Sequence, residues 1–175
     1  MKLLEILKDI QKKMSMAEAR TNNVESLARM AQKLDDLDPN EAEKIACFAY
    51  LLGRTAHADF DVSEDEVVKM REILQEKTDL EADRIALIVE IAKAQNEMMG
   101  STDNFLVSRE FKELSTRPQR VELVRALFHV AASDGVISPE EDAELRNIAS
   151  ELGLEQAELA DVRADFSQFR SVNQS

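Results

Sequence analysis

Carboxylate and hydroxyl side chains recur at two places with the same spacing. Asp59, Asp61, Ser63 and Glu66 form the first set. Asp134, Ser138 and Glu141 form the second, and Asp134 lies 75 positions after Asp59. Carboxylates packed at two loops repel one another, and a hard divalent cation with oxygen ligands relieves that repulsion. The alternation Asp59, Asp61, Ser63 matches the start of a calcium-binding loop. The match then stops, because an EF-hand needs Gly at its sixth position and a bidentate Glu at its twelfth. Glu64 and Met70 stand there, and Val136 replaces Asp61 in the second set. What remains is a looser carboxylate site fed by both loops. Its metal ligands would be Asp59, Asp61, Glu66, Asp134 and Glu141, and its ion calcium or zinc.

The same oxygens have a second use. Ser63 and Ser138 each stand where a helix should begin, with Glu66 and Glu141 three residues on. That is a capping box, in which Ser accepts from the N3 amide and Glu accepts from the N-cap amide. Pro139 falls at N1, where its missing N–H costs nothing. Asp134-Gly135 is ordinary turn chemistry. Metal binding and helix capping therefore compete for Glu66 and Glu141.

Other catalytic patterns are missing. There is no Gly-rich phosphate loop, no Gly-x-Ser-x-Gly elbow and no Cys/His zinc spacing. His57 and His129 are the only imidazoles. His57, just before Asp59, reads as a helix-end residue. Cys47 stands in the apolar run Ile45-Ala46-Cys47-Phe48, which marks a buried, inert thiol. No catalytic residue and no organic cofactor is expected. A lone cysteine makes no intramolecular disulfide, and the start of the chain reads as no signal peptide, so a cytoplasmic location is expected.

The chain has 175 residues and a formal net charge of −13. The charge is uneven: residues 1–40 hold seven basic and seven acidic side chains, so the remainder carries the whole excess. An acidic body repels phosphate backbones, which argues against nucleic-acid binding. Arg109, Lys112, Arg117, Arg120 and Arg125 make a basic stretch, and the interleaved Glu110, Glu113 and Glu122 suggest internal pairing. No stretch reaches the roughly 18 apolar residues of a membrane span.

The elements that must position these residues are helical. Four Gly and three Pro are too few for an all-β fold, and 3.6-residue apolar periodicity fills every long segment. Leu3, Leu7, Ile10, Met14 and Ala17 make a heptad stripe over residues 1–37, as two helices or one jointed helix. This segment is expected to self-associate or to dock on the body. Helices are then expected over about 39–58, from Ser63, through Ile85 to Ala92, and over about 105–115 carrying Phe105, Phe111 and Leu114. Further helices are expected from Pro118, over Pro139 to Leu152 ending on Gly153, and through Leu159 to Phe169. The fold class is all-α, a bundle of seven or eight helices. A body over 38–171 would contain two repeats, about 44–74 and 119–149, with residues 172–175 fraying.

Two segments carry a resemblance. Ala56-His57-Ala58-Asp59-Phe60-Asp61-Val62-Ser63 and Ala131-Ala132-Ser133-Asp134-Gly135-Val136-Ile137-Ser138-Pro139-Glu140-Glu141 resemble the TerB family of tellurite-resistance proteins, to which the N-terminal part of DjlA-type co-chaperones is related. The first segment departs from the family pattern, with Phe60 where Gly is usual. The resemblance implies a helical bundle with pseudo-twofold repeats, an acidic cluster proposed to bind metal, and no known reaction. Co-chaperone activity does not carry over, because the J-domain His-Pro-Asp motif is absent. Two functions follow as expectations. One is a non-enzymatic module that binds a divalent metal and belongs to tellurite or stress response. The other is a metal-free helical adaptor for protein partners.

Overall fold

The computed structural model describes residues 35–56, 64–95 and 104–173. Seven α-helices lie among them, with no strand. They are α1 (Pro39–Ala56), α2 (Glu64–Lys77), α3 (Ala82–Gln95), α4 (Asn104–Leu114), α5 (Arg117–Ala131), α6 (Pro139–Glu151) and α7 (Gln156–Asp165). None is long and apolar enough to cross a membrane. The heptad stripe of residues 1–34 lies outside the described residues.

Helix α1 begins where Asp38 caps it: Asp38 Oδ1 accepts from the amides of Asn40 (3.0 Å) and Glu41 (3.3 Å). Its middle is apolar on every side, from Ile45 through Leu52, and such a helix belongs in a protein centre. All of those residues are buried, and α1 packs against α3, α4, α5 and α6. Cys47 is among them, and burial, then Glu43 and Glu110, push its thiol pKa well up. The nucleophilic thiolate is thus suppressed.

Helix α5 is the second centre. Leu123, Val124, Leu127, Phe128 and Ala131 are buried as their spacing predicts, and α5 touches α1, α2, α6 and α7. Burying a side chain such as Leu127 or Phe128 contributes about 1.5–3 kcal/mol. Helices α1 and α5 end at Ala56 and Ala131, and α2 and α6 begin at Glu64 and Pro139, so both pairs of boundaries are 75 residues apart.

Helix α4 buries Val107, Ser108 and Phe111 and leaves Phe105 57% exposed. Ser108 faces inward because Arg54 and Glu151 bind it there (below), which fixes the rotation of α4 and leaves Phe105 outside. Helix α6 ends as expected. The Gly153 amide donates to Ser150 O (3.0 Å) and the Leu154 amide to Ala149 O (3.0 Å), with Gly153 at φ 75°. This is the Schellman arrangement, which requires a left-handed residue after the helix. Beyond α7, Ser167–Phe169 and Ser171–Asn173 form short 3₁₀ turns.

His129 on α5 meets the edge of Phe166, with ring centroids 4.7 Å apart. Its pKa is lowered, first by burial and then by Lys77 and Arg125, with Glu76 and Asp165 acting in the opposite sense. A depressed folded-state pKa favours the neutral ring. The associated stability is complete above the ordinary histidine range and is lost as pH falls below it. Urea midpoints should therefore drop between about pH 6.5 and the lower folded value, and His129→Gln should lack that component. Identical pH profiles for the two proteins would contradict this.

Candidate carboxylate loop and its braces

The second acidic loop is built almost wholly from its own sequence. After α5 the chain makes one 3₁₀ turn, Ala132–Asp134. Gly135 takes φ 95°, a conformation other residues reach at a cost. Asp134 Oδ1 accepts from the Val136 amide (3.1 Å), an Asx-turn. Ile137 then plunges into the core, 1% exposed. Its amide donates to Phe169 O (2.6 Å), and its carbonyl accepts from the Ser171 amide (3.1 Å). This parallel bridge to Arg170 is an isolated one.

Ser138 caps α6 as its spacing predicts. Its Oγ accepts from the Glu141 amide (3.2 Å), while Glu141 Oε2 accepts from the Ser138 amide (2.8 Å). Pro139 stands in the first turn with Glu140, Glu141 and Asp142, where acidic charge complements the helix dipole. Ser138→Ala should lower the unfolding free energy by about 1 kcal/mol in urea titration. An unchanged midpoint would mean the box contributes nothing.

Of the five candidate ligands, Asp134 stands in the turn before α6 and Glu141 in the first turn of α6, each with an oxygen engaged by a main-chain amide. Asp59 and Asp61, like His57, lie outside the described residues. Glu66 stands in the first turn of α2, its side chain outside the described set. Among the described residues, no three His, Cys, Asp or Glu side chains are grouped to hold a metal ion.

Two charged clusters escaped the sequence reading. Asp142, one residue past the capping box and 6% exposed, holds three arginines. Arg163 binds it in bidentate fashion (3.2 and 2.9 Å), Arg146 approaches to 3.3 Å and Arg170 to 3.4 Å. Asp142 therefore ties α6 to α7 and to the chain's final turns, which in turn bridge to Ile137. The only sequence signal was Arg146 at i+4.

The second cluster centres on Arg54, which follows the buried stretch of α1 and has only 9% of its side chain exposed. Its Nε donates to Glu144 Oε1 (2.7 Å), and Nη1 donates to Glu151 Oε2 (2.9 Å) and Ser108 Oγ (3.3 Å). Ser108 Oγ donates to the same Glu151 oxygen (2.5 Å). One guanidinium thus joins α1, α4 and α6. The partners lie 54 to 97 residues away in sequence, so no local pattern announces them.

Three cations of the basic stretch, Arg109, Arg117 and Arg125, are ion-paired, mostly with residues other than those interleaved in it. Arg117 binds Glu158 (2.7 Å) and Glu155 (2.8 Å), and Arg125 binds Asp165. Only Arg109 pairs within the stretch, with Glu113 at 3.3 Å. The acids of α7 thus neutralise much of the basic side of α5.

No curated protein and no solved structure matches this chain. A family model described as tellurite resistance protein TerB matches residues 44–164, a span from within α1 to the last turn of α7 that takes in all of α5, the 132–138 loop, the Arg54 cluster, and Asp142 with Arg146 and Arg163. That match covers more than half of the 175 residues, and the chain belongs to the TerB family.

Proposed function

We propose that this chain is a non-enzymatic helical adaptor of the TerB family, a rigid surface for protein partners that needs no bound metal. The supporting observation is the loop at 132–138. The candidate ligands in it and in the helical turn that follows, Asp134 and Glu141, each have an oxygen bound to the chain's own amides, at 3.1 and 2.8 Å. The loop is thereby complete as capping and turn chemistry. Its brace through Asp142 holds it on the body.

A divalent-cation site is the second reading. Its supports are the family's acidic cluster and the acidic residues at both loops, Asp59, Asp61, Glu66, Asp134 and Glu141. Energy does not exclude it. A capping interaction contributes about 1 kcal/mol, whereas even a millimolar ligand binds with about 4 kcal/mol. A cation could therefore draw Glu141 out of its box. Under the adaptor reading, calcium or zinc at roughly 1 mM leaves the melting temperature unchanged. Under the cation reading the temperature rises by mass action, and Asp59→Asn with Asp134→Asn abolishes the rise.

The 75-residue repeat also belongs to this proposal, as an internal duplication with pseudo-twofold symmetry. Helix α1 touches α6 while α5 touches α2, the exchange of contacts that two related units would make. An experimental structure in which residues 44–74 fail to superpose on 119–149 would remove it. A cytoplasmic setting, kinship with DjlA-type N-terminal domains and a part in tellurite or other stress response come with the family reading. Partner docking or self-association through residues 1–37 comes with the heptad stripe. Gel filtration of the full chain against one starting at residue 38 tests the last point, and equal protomer number in both would refute self-association.

A further inference from the structure

An open cleft of about 670 Å³ lies between the outer face of α4, the start of α5 and the C-terminal end of α6. We propose that it binds an acidic peptide segment of a partner protein, with a carboxylate against Lys112 and Arg120 and an apolar side chain against Phe105. This deepens the adaptor reading by naming the surface and the chemistry of its partner.

The cleft is basic on a chain whose net charge is −13. Arg109, Lys112 and Arg120 line it. Arg120 Nη1 donates to Leu152 O (3.0 Å) at the end of α6, but its Nε is buried without a hydrogen-bond partner. Lys112 has no acidic partner among the described residues. It lies over Gly153, where an added Cβ would come within 2.7 Å of its Nζ, so the missing side chain makes its room. Among the described residues Arg109 pairs only with the exposed Glu113, and exposed pairs of this kind hold weakly. The other carboxylate in the lining, Glu151, is already bound by Arg54 and Ser108. Helix-end chemistry accounts for one contact of Arg120 and for neither Arg109 nor Lys112.

The apolar element is Phe105, 57% exposed at the lip, with Leu106 beside it at 53%. Ser150 lines the opposite side and supplies a hydroxyl. The volume exceeds what a single ion needs and suits several side chains. An aromatic anchor beside cationic side chains, arginine among them, is the composition of a protein-recognition surface. A long phosphate backbone would run from the cleft onto an acidic surface, whereas a short acidic segment fits within it. Charge complementarity confined to one cleft gives orientation and a strong dependence on salt.

The test uses the full chain, isotopically labelled, titrated with a capped hexapeptide of Glu and Leu, with its Lys and Leu counterpart, and with inorganic phosphate. The acidic peptide should shift amides in residues 105–113, 117–121 and 150–153, and raising salt from about 50 to 200 mM should weaken it severalfold. Arg109→Glu with Lys112→Glu should weaken it about tenfold, and Phe105→Ser severalfold, with unchanged circular dichroism. Lys69→Glu with Arg71→Glu, an equal charge change at exposed positions of α2, should leave affinity within about twofold. The proposal is overturned by no shifts at millimolar peptide, by equal weakening in the α2 control, or by phosphate or the Lys peptide matching the acidic peptide. Loss of peptide binding while no cation binds sinks the cleft and spares the adaptor reading. A bound cation sinks the adaptor reading whatever the peptide does.

Discussion

Arg54→Ala should lower the unfolding free energy by about 3 kcal/mol, the low end for breaking a buried ion pair because the acids left behind are partly exposed. Arg54 is surrounded by two carboxylates and a fully buried hydroxyl, and its removal leaves Glu144 and Glu151 facing each other across the space it filled. Their side chains are 30% and 21% exposed, so water recovers part of the cost. Arg54→Met keeps the aliphatic stem and should recover only the packing part. Urea unfolding of the three proteins measures both. A loss under about 1 kcal/mol for Arg54→Ala would mean that apolar packing alone sets the arrangement of α1, α4 and α6.

Asp142→Ala should cost a similar amount, about 3 kcal/mol, by the opposite imbalance. Arg146, Arg163 and Arg170 would then have no anion between them. The effect should also be local in a way that Arg54→Ala is not. Arg170 is the residue bridged to Ile137, so release of its side chain should loosen the Ile137 and Ser171 amides that close that bridge. Hydrogen exchange at those two amides should accelerate in Asp142→Ala and remain slow in Arg54→Ala at matched global stability. Equal protection in both variants would show that the backbone bridge stands without its ionic brace.

These two residues mark the boundary of what the sequence could tell. Local chemistry was legible. Ile45, Phe48, Ala49 and Leu52 declared the buried face of a helix, and that helix, apolar all round in its middle, lies at the centre of the bundle. Ser138, Pro139 and Glu141 declared a capped helix start, and Gly153 a left-handed end, because caps and turns are settled within a few residues. Partner choice across the fold was not legible. By position alone Arg54 is a charge at the end of a helix, and Asp142 one acid of an acidic first turn with a cation at i+4. Their partners on other elements lie between 21 and 97 positions away. Phe105 shows the same limit. Its neighbours place it on a helix with Phe111 but not on a side of it, and the buried side of α4 is the one that carries Val107, Ser108 and Phe111, with Ser108 bound to Arg54 and Glu151. Of the candidate metal ligands, Asp134 makes the turn before α6 and Glu141 caps that helix, and these capping and turn roles were the part that could be read from neighbours alone.

The most direct test of the adaptor reading is native mass spectrometry of the full chain with and without calcium and zinc, since it reads bound metal and protomer number in one spectrum. The chain should show no stoichiometric adduct at cation levels up to roughly 1 mM, the concentration at which even a weak site would be half filled. Wild type and the Asp59→Asn, Asp134→Asn double variant should give the same spectra. A one-to-one cation adduct present in wild type and absent in the double variant would contradict the account and make the acidic loops a metal site.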